Sequence, residues 1–267
     1  MSEIVEAIVL GIVQGLTEFL PVSSSGHIEI VNFLFGNDAT GEENLTMTII
    51  LHAATAISTL LVFRKDILNI LKGVFSSTWN DDKKFAVAII ISMIPAAIIG
   101  LFFEDIVEQF FTQNLLLVGI MLLITAALLY LADRAKDTTK SVGFKHAVII
   151  GIAQAVATLP GLSRSGSTIA TSVLLGVDRS KAARFSFLMV VPLILGKMAK
   201  DALDGDFSSQ KLNALPLIVG FVAALMTGYV ACTWMINLVK KSQLTYFSVY
   251  CVIVGLIAIF STLIMNS

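Results

Sequence analysis

Apolar residues form long uninterrupted stretches along most of this chain. Five of them approach or exceed the roughly 20 residues that a helix needs to cross the hydrocarbon core of a bilayer. They are residues 45–63, 85–103, 114–132, 215–239 and 244–265, and a sixth, shorter stretch at 185–199 contains Pro192. The pattern predicts an all-α, polytopic integral membrane protein with six transmembrane helices.

Composition agrees with a membrane environment. Hydrophobic residues make up 56% of the chain and charged residues 14%, whereas soluble domains have about 25% charged residues. The net charge of −1 indicates nothing about partners, and because the chain has no basic patch, no nucleic-acid partner is expected. Cys232 and Cys251 both fall inside predicted spans, so neither a disulfide framework nor a zinc site is expected.

The loops predict which side of the membrane each one faces, because Lys and Arg concentrate on the cytoplasmic side. The segments 64–84 and 133–145 are basic and are predicted inside, as is Lys240 with its neighbour. The segments 36–44 and 104–113 lack Lys and Arg and are predicted outside.

Two segments cannot be simple spans under this topology. Residues 146–176 lie between two basic segments, 133–145 and 178–184, that are both predicted inside. The chain must therefore enter and leave on one side, as a re-entrant hairpin of two helices joined by a loop. Residues 3–35 are predicted to form the matching hairpin, which enters from the outside because the loop 36–44 follows it.

We therefore predict a single membrane domain, 1–267, built as an inverted-topology repeat. The first repeat, 1–132, holds hairpin 3–35 and the spans 45–63, 85–103 and 114–132. The second repeat, 146–267, holds hairpin 146–176 and the spans 185–199, 215–239 and 244–265. Inverted repeats with broken helices place their sites near the bilayer midplane.

The two predicted hairpins share a polar motif that recurs after 140 residues. The recurring residues are Gly11, Gln14, Ser23, Ser25, Gly26 and Gly36, matched by Gly151, Gln154, Ser163, Ser165, Gly166 and Gly176. Hydroxyl, carboxylate, imidazole and guanidinium groups cluster around it. Because such groups are expensive inside a bilayer, the motif marks a candidate active site.

Gln14 and Glu18 are spaced i, i+4, so they lie on one face of the first helix. A carboxylate near the bilayer centre costs about 2.5–3.5 kcal/mol even on the lenient insertion scale, so this face is predicted to line a cavity. After Pro21 come three serines and Gly26. Serines at a helix start supply caps and free N–H groups, which favour an anion.

Histidine and arginine add further chemistry. His27 follows the serines directly and can act as nucleophile, general acid or general base. His52 either lines the cavity or is a satisfied buried histidine. Arg164, in the second copy, presents a fork that matches phosphate or carboxylate. An ion pair with Glu18 in the empty site is compatible with phosphate binding. The set favours phosphoryl transfer or hydrolysis on an amphiphilic phosphate.

Three motifs carry a resemblance to a known family: Gln14-x-x-x-Glu18, the run from Pro21 to His27, and Pro160-Gly-Leu-Ser-Arg-Ser-Gly-Ser-Thr168. Over its full length the chain resembles the undecaprenyl-diphosphatase, or bacitracin-resistance, family. The resemblance implies hydrolysis of undecaprenyl diphosphate to undecaprenyl phosphate and inorganic phosphate. This reaction recycles the lipid carrier for cell-wall synthesis and confers bacitracin resistance.

The resemblance also implies the site residues. Glu18, Ser24, His27 and Arg164 are expected to be catalytic, with His27, Ser24 or water as the nucleophile. Residues expected to bind substrate are Gln14, Ser23, Ser25, Gly26, Ser163, Ser165 and Thr168. Gln14 stands where many relatives have a second glutamate. We therefore expect no metal site on the protein, and any divalent cation, Mg²⁺ or Ca²⁺, to be carried by the diphosphate.

The expected partners are the polyprenyl diphosphate and membrane lipids, and a homodimer is left open. The expected location is the bacterial inner membrane, as a multi-pass protein with its active site open to the outer face. The main alternative function is a lipid-phosphate transporter or flippase, because inverted repeats with broken helices are also typical of carriers.

Overall fold

The structure is a computed structural model that describes residues 3–35, 42–103, 106–107, 109–111, 114–204 and 213–265. Throughout these residues the regular structure is helical. In chain order the α-helices are α1 Glu3–Phe19, α2 Ser24–Phe35, α3 Glu42–Val62, α4 Arg64–Val74, α5 Asp81–Phe102, α6 Leu115–Asp133, α7 Phe144–Val156, α8 Arg164–Leu174, α9 Arg179–Asp204, α10 Ala214–Lys240 and α11 Thr245–Met265.

The long helices agree with the predicted polytopic fold. Within the described residues, α5, α6, α9, α10 and α11 are each long and apolar enough to cross a membrane. The bent pair of α3 and α4 brings the number to six. Large apolar side chains remain exposed on these helices, among them Ile90, Met226 and Ile257. Exposed apolar surface of this extent is what lipid contact requires.

Two elements differ from the sequence prediction. The predicted inner loop 64–84 contains a helix, α4, which bends away from α3 by 76°. The predicted span 185–199 is part of a longer helix, α9, that continues through Pro192. Proline removes one backbone donor from a helix, but here the loss does not end the helix, because the buried side chains of Met189, Val190 and Val191 just before Pro192 hold it in the core.

Four helices belong to the two predicted hairpins. α1, α2, α7 and α8 contain between 11 and 17 residues. At about 1.5 Å per residue each is shorter than the roughly 30 Å hydrocarbon core. The chain breaks between α1 and α2 and again between α7 and α8, at the two serine loops. Their re-entrant insertion and opposite orientation stay predictions, as do the repeat boundaries. Of the predicted outer loops, residues 36–41 and half of 104–113 lie outside the described residues, and residues 42–44 belong to α3.

The two halves of the chain contact each other reciprocally. α1 packs on α10 and α7 packs on α5, while α3 pairs with α9 and α6 pairs with α11. Glycines allow the first two contacts: a Cβ on Gly11 would lie 2.5 Å from the Gly220 carbonyl oxygen, and one on Gly151 would lie 2.5 Å from that of Ser92. Each hairpin is therefore held by a long helix from the other half.

A polar clamp joins the ends of three long helices. The Asp133 carboxylate, at the end of α6, accepts hydrogen bonds from the backbone N–H groups of Leu244 (3.0 Å) and Thr245 (3.2 Å) at the start of α11. The buried Arg179, at the start of α9, donates to three carbonyl oxygens near the end of α6, those of Ala132, Asp133 and Ala135. A negative charge at a helix start and a positive charge at a helix end both stabilise the helix.

Candidate active site

The two serine loops have the same capping hydrogen bonds. The Gly26 N–H donates to Ser23 Oγ at 3.2 Å, and the Gly166 N–H donates to Ser163 Oγ at 3.0 Å. Each serine thus satisfies one of the unpaired N–H groups at the start of the helix that follows. The capping predicted for the first loop is confirmed, and the second loop repeats it 140 residues later.

The serine two positions after the cap repeats the match. The hydroxyls of Ser23 and Ser25 lie 3.3 Å apart, and so do those of Ser163 and Ser165. Ser165 also donates to the Leu20 carbonyl oxygen at 3.3 Å. The second loop is therefore hydrogen-bonded to the end of the first helix.

Glycines bring the two loops into direct contact. A Cβ on Gly26 would lie 3.0 Å from the Gly161 Cα, and a Cβ on Gly166 would lie 3.2 Å from the Pro21 Cβ. Gly161 has φ +88°, a value that favours glycine, and Ser23 adopts φ +71° without being glycine. Pro21 and Gly161 occupy equivalent positions in the two copies, so the contact is reciprocal.

Glu18 is the centre of the polar network. Its carboxylate accepts hydrogen bonds from Gln14 Nε2 at 3.0 Å and from Ser24 Oγ at 2.8 Å. Arg164 Nη2 donates to its other oxygen and forms an ion pair with it. The Glu18 side chain is only 5% exposed, while that of Arg164 is 22% exposed. The ion pair expected for the empty site is confirmed, and it leaves the guanidinium partly accessible.

His27 lies beside this network but has other partners. Its Nδ1 is 2.8 Å from the Ser23 carbonyl oxygen, and its Nε2 is 2.7 Å from the Tyr250 hydroxyl. The rings of His27 and Tyr250 are stacked, with centroids 5.6 Å apart and planes 12° apart. The Ser23 carbonyl oxygen and the Tyr250 hydroxyl, rather than Glu18, therefore orient the imidazole. Sequence reasoning missed Tyr250, because an aromatic residue inside an apolar span carries no signal of its own.

Two further residues, Thr168 and His52, have contacts that define their place. Thr168 hydrogen-bonds the Arg164 carbonyl oxygen at 2.8 Å and the Ser186 hydroxyl at 2.6 Å, so its hydroxyl ties α8 to α9. The Nδ1 of His52 is 2.8 Å from the Thr48 carbonyl oxygen.

The second copy lacks the corresponding network. At the position that matches Glu18, Thr158 lies just after α7 and donates to the carbonyl oxygen of Ala155 on that helix. Gln154 and Ser167, which match Gln14 and His27, are buried with no hydrogen-bond partner for their side chains in the described structure. The copies have therefore diverged, and the acid and imidazole belong to the first copy while the guanidinium belongs to the second.

The side chains at this site determine whether it can bind a metal ion. In the part of the chain that is described, no three His, Cys, Asp or Glu side chains come together. Glu18 is the carboxylate of the network, and three donors already occupy its oxygens. Divalent cations such as Mg²⁺ are bound through several oxygen ligands. The residues at this site alone are therefore a poor match for a resident metal ion.

Known proteins resemble this chain along nearly all of its length. A family model described as "Bacitracin resistance protein BacA" matches residues 7–257. A protein of Christiangramia forsetii named undecaprenyl-diphosphatase is 58% identical over 257 residues, covering 96% of this chain and 97% of the relative.

Two further relatives carry the same name. That of Parabacteroides distasonis is 54% identical, over 97% of this chain and 98% of its own. That of Methanosphaera stadtmanae is 38% identical, over 99% of this chain and the whole of its own. On the extent of these matches, this chain belongs to the bacitracin resistance protein BacA family.

Proposed function

We propose that this protein is an undecaprenyl-diphosphatase, which hydrolyses undecaprenyl diphosphate to undecaprenyl phosphate and inorganic phosphate. The product is the lipid carrier for cell-wall synthesis, so the reaction recycles the carrier and confers resistance to bacitracin. The relatives named for this activity support the proposal, as does a polar site enclosed by apolar helices.

The proposal rests on one observation: the side chains of Arg164 and Ser24 both donate hydrogen bonds to the carboxylate of Glu18. These two donors are the first residues of α8 and α2, so both lie at helix starts, where the helix dipoles favour an anion. In the empty site, the carboxylate of Glu18 balances the positive charge of Arg164 and of the two helix starts. A diphosphate offers Arg164 a bidentate partner of higher charge, and the guanidinium then transfers from the carboxylate to the phosphate.

The reaction balances as a simple hydrolysis. An oxygen of water bonds to the terminal phosphorus, and the bond from this phosphorus to the bridging oxygen breaks. The bridging oxygen leaves as part of undecaprenyl phosphate, and a base of the site accepts one proton of the water. Arg164 and the loop N–H groups neutralise the charge on the transferred group, which is the main catalytic contribution in phosphoryl transfer.

Three nucleophiles remain in competition: Ser24, His27 and water. Ser24 donates its hydroxyl hydrogen to Glu18, an arrangement in which the carboxylate can accept the proton as the oxygen attacks. His27 Nε2 can attack directly or deprotonate water. Rapid acid and alkali quenching separates the three, because phosphoserine survives acid, phosphohistidine survives alkali but not acid, and attack by water leaves no phosphoenzyme.

A divalent cation fits this scheme as part of the substrate complex. We propose that Mg²⁺ or Ca²⁺ enters on the diphosphate and contributes charge neutralisation there. The same residues, Arg164 and Ser24, then hold the phosphate oxygens that the cation leaves free.

We further propose that the site of this multi-pass protein opens to the outer face of the bacterial inner membrane, as the basic residues of the predicted inner loops suggest. All residues assigned to the reaction come from one chain. The activity therefore does not require the homodimer that the family resemblance leaves open.

Purified protein in detergent, given undecaprenyl diphosphate, tests the proposal. We expect the wild type to release inorganic phosphate and the His27→Ala variant to release at least about a hundredfold less. His146→Ala is the matched control, because His146 caps its own helix through the Gly143 N–H. If the wild type releases no phosphate but moves the lipid across vesicle membranes, the transporter alternative replaces this proposal.

A further inference from the structure

The pair formed by His27 and Tyr250 links two helices that share α6 as a neighbour. His27 is on α2, which packs on α1 and α6, and Tyr250 is on α11, which packs on α6. The pair has both a 2.7 Å hydrogen bond and a stacked ring contact. Two independent contacts fix the imidazole more firmly than a hydrogen bond alone, because stacking sets the ring plane and the hydrogen bond sets the rotation within it.

The partners of His27 also determine where its proton lies. The Ser23 carbonyl oxygen can only accept a hydrogen bond, so Nδ1 must carry the hydrogen. A neutral imidazole then has its lone pair on Nε2, and the Tyr250 hydroxyl donates to it. The nitrogen that can attack phosphorus or deprotonate water is therefore the one that Tyr250 holds.

Tyr250 lies at the boundary between the buried and the lipid-facing sides of α11. It is 43% exposed, while its neighbour Cys251 is fully buried. On the same helix, Tyr246 is 73% exposed and Ile257 is 60% exposed. The hydroxyl of Tyr250 can therefore be displaced from Nε2 without opening the core, and a lipid substrate can approach His27 from this side.

We propose that Tyr250 is a positioning residue for His27, an inference that rests on the proposed phosphatase function. In the empty site its hydroxyl keeps Nε2 unprotonated and its ring holds the imidazole plane. When the diphosphate binds, it displaces the hydroxyl from Nε2, while the ring contact and the hydrogen on Nδ1 remain. Nε2 is then free and already oriented for its step.

Tyr250→Phe separates the two contacts, because it keeps the ring and removes the hydroxyl. We expect kcat to fall about tenfold, as for the loss of one hydrogen bond, with KM changed by less than about twofold because substrate binding rests on Arg164. Tyr246→Phe, one turn away and more exposed, is the matched control and should keep the wild-type kcat. Tyr250→Leu, which removes the ring as well, should be slower than Tyr250→Phe.

A second readout does not depend on turnover. The chain has three histidines, so nitrogen NMR of labelled histidine can follow the His27 ring, which is assigned by its loss in His27→Ala. We expect one tautomer, with hydrogen on Nδ1, in the wild type and in Tyr246→Phe, and a mixture in Tyr250→Phe.

The possible outcomes are distinct. An inactive wild type refutes the proposed function and not the positioning of His27, which the NMR signal still reports. An active wild type with an unchanged kcat in Tyr250→Phe overturns the inference. So does an equal loss of activity when Tyr250→Phe is added to His27→Ala, because the tyrosine would then act independently of the imidazole.

Discussion

Arg164 and Glu18 are 146 positions apart in the chain, yet the guanidinium of one donates to the carboxylate of the other. The pair brings one charged residue from each copy of the duplicated loop to a single point. An ion pair with a buried carboxylate and a partly accessible guanidinium is suited to exchange partners. The first two predictions concern this exchange.

Replacing Arg164 with Lys tests whether the guanidinium binds the phosphate of the substrate. Lysine keeps the positive charge but lacks the planar fork that can bind two phosphate oxygens. We expect kcat/KM to fall by about 10–150-fold, as for the loss of one hydrogen bond to a charged group, while the thermal unfolding temperature stays close to that of the wild type. Near-normal turnover would show that Arg164 does not bind the phosphate of the substrate.

Replacing Glu18 with Gln separates binding from chemistry. The amide keeps the shape of the side chain but cannot accept a proton or hold the guanidinium as strongly. We expect turnover to fall by about a hundredfold or more, and a non-hydrolysable prenyl diphosphonate to bind as tightly as to the wild type or more tightly. Weaker binding by Glu18→Gln would show that the carboxylate assists the substrate rather than competing with it.

Adding a methyl group at either loop glycine should disturb both loops. In Gly26→Ala and Gly166→Ala the new Cβ would lie within 3.2 Å of atoms in the opposite loop. We expect each variant to be destabilised by about 1–3 kcal/mol, with reduced phosphate release. Gly100→Ala is the control, because a Cβ there meets no atom within 4 Å, and its unfolding temperature should be unchanged or slightly higher.

The clamp at Asp133 should affect stability more than chemistry. Asp133→Ala leaves the N–H groups of Leu244 and Thr245 without their acceptor. We expect a loss of about 0.5–2 kcal/mol, typical of a lost helix cap, and normal kcat per folded molecule. A large fall in kcat at full folding would connect this distant clamp to the active site.

Sequence alone predicts most of what is local or repeated. The capping of α2 follows from the serines themselves, and the pairing of Arg164 with Glu18 follows from the expense of leaving either charge alone in an apolar setting. The repeated motif also indicates that the two loops belong together.

The missing parts depend on tertiary contacts. Tyr250 lies in an apolar span and becomes notable only because α11 brings it to His27. The length of α9 was not expected: the helix extends the predicted span 185–199 at both ends, to Arg179 and Asp204, because an apolar stretch marks only the part of a helix that lies in the hydrocarbon core. The ring nitrogens of His27 likewise have partners that chain spacing cannot reveal, one of them 223 positions away.

The reciprocal contact of Gly26 with Gly161 and of Gly166 with Pro21 limits how this protein can change over evolutionary time. Each loop packs directly against the other, so a larger residue in one loop requires both loops to change shape. Positions 18 and 158 lie outside that contact, and there the copies have become as different as Glu and Thr. The contact therefore restricts the size of the residues at positions 21, 26, 161 and 166, while the residues beside it can differ between the two copies.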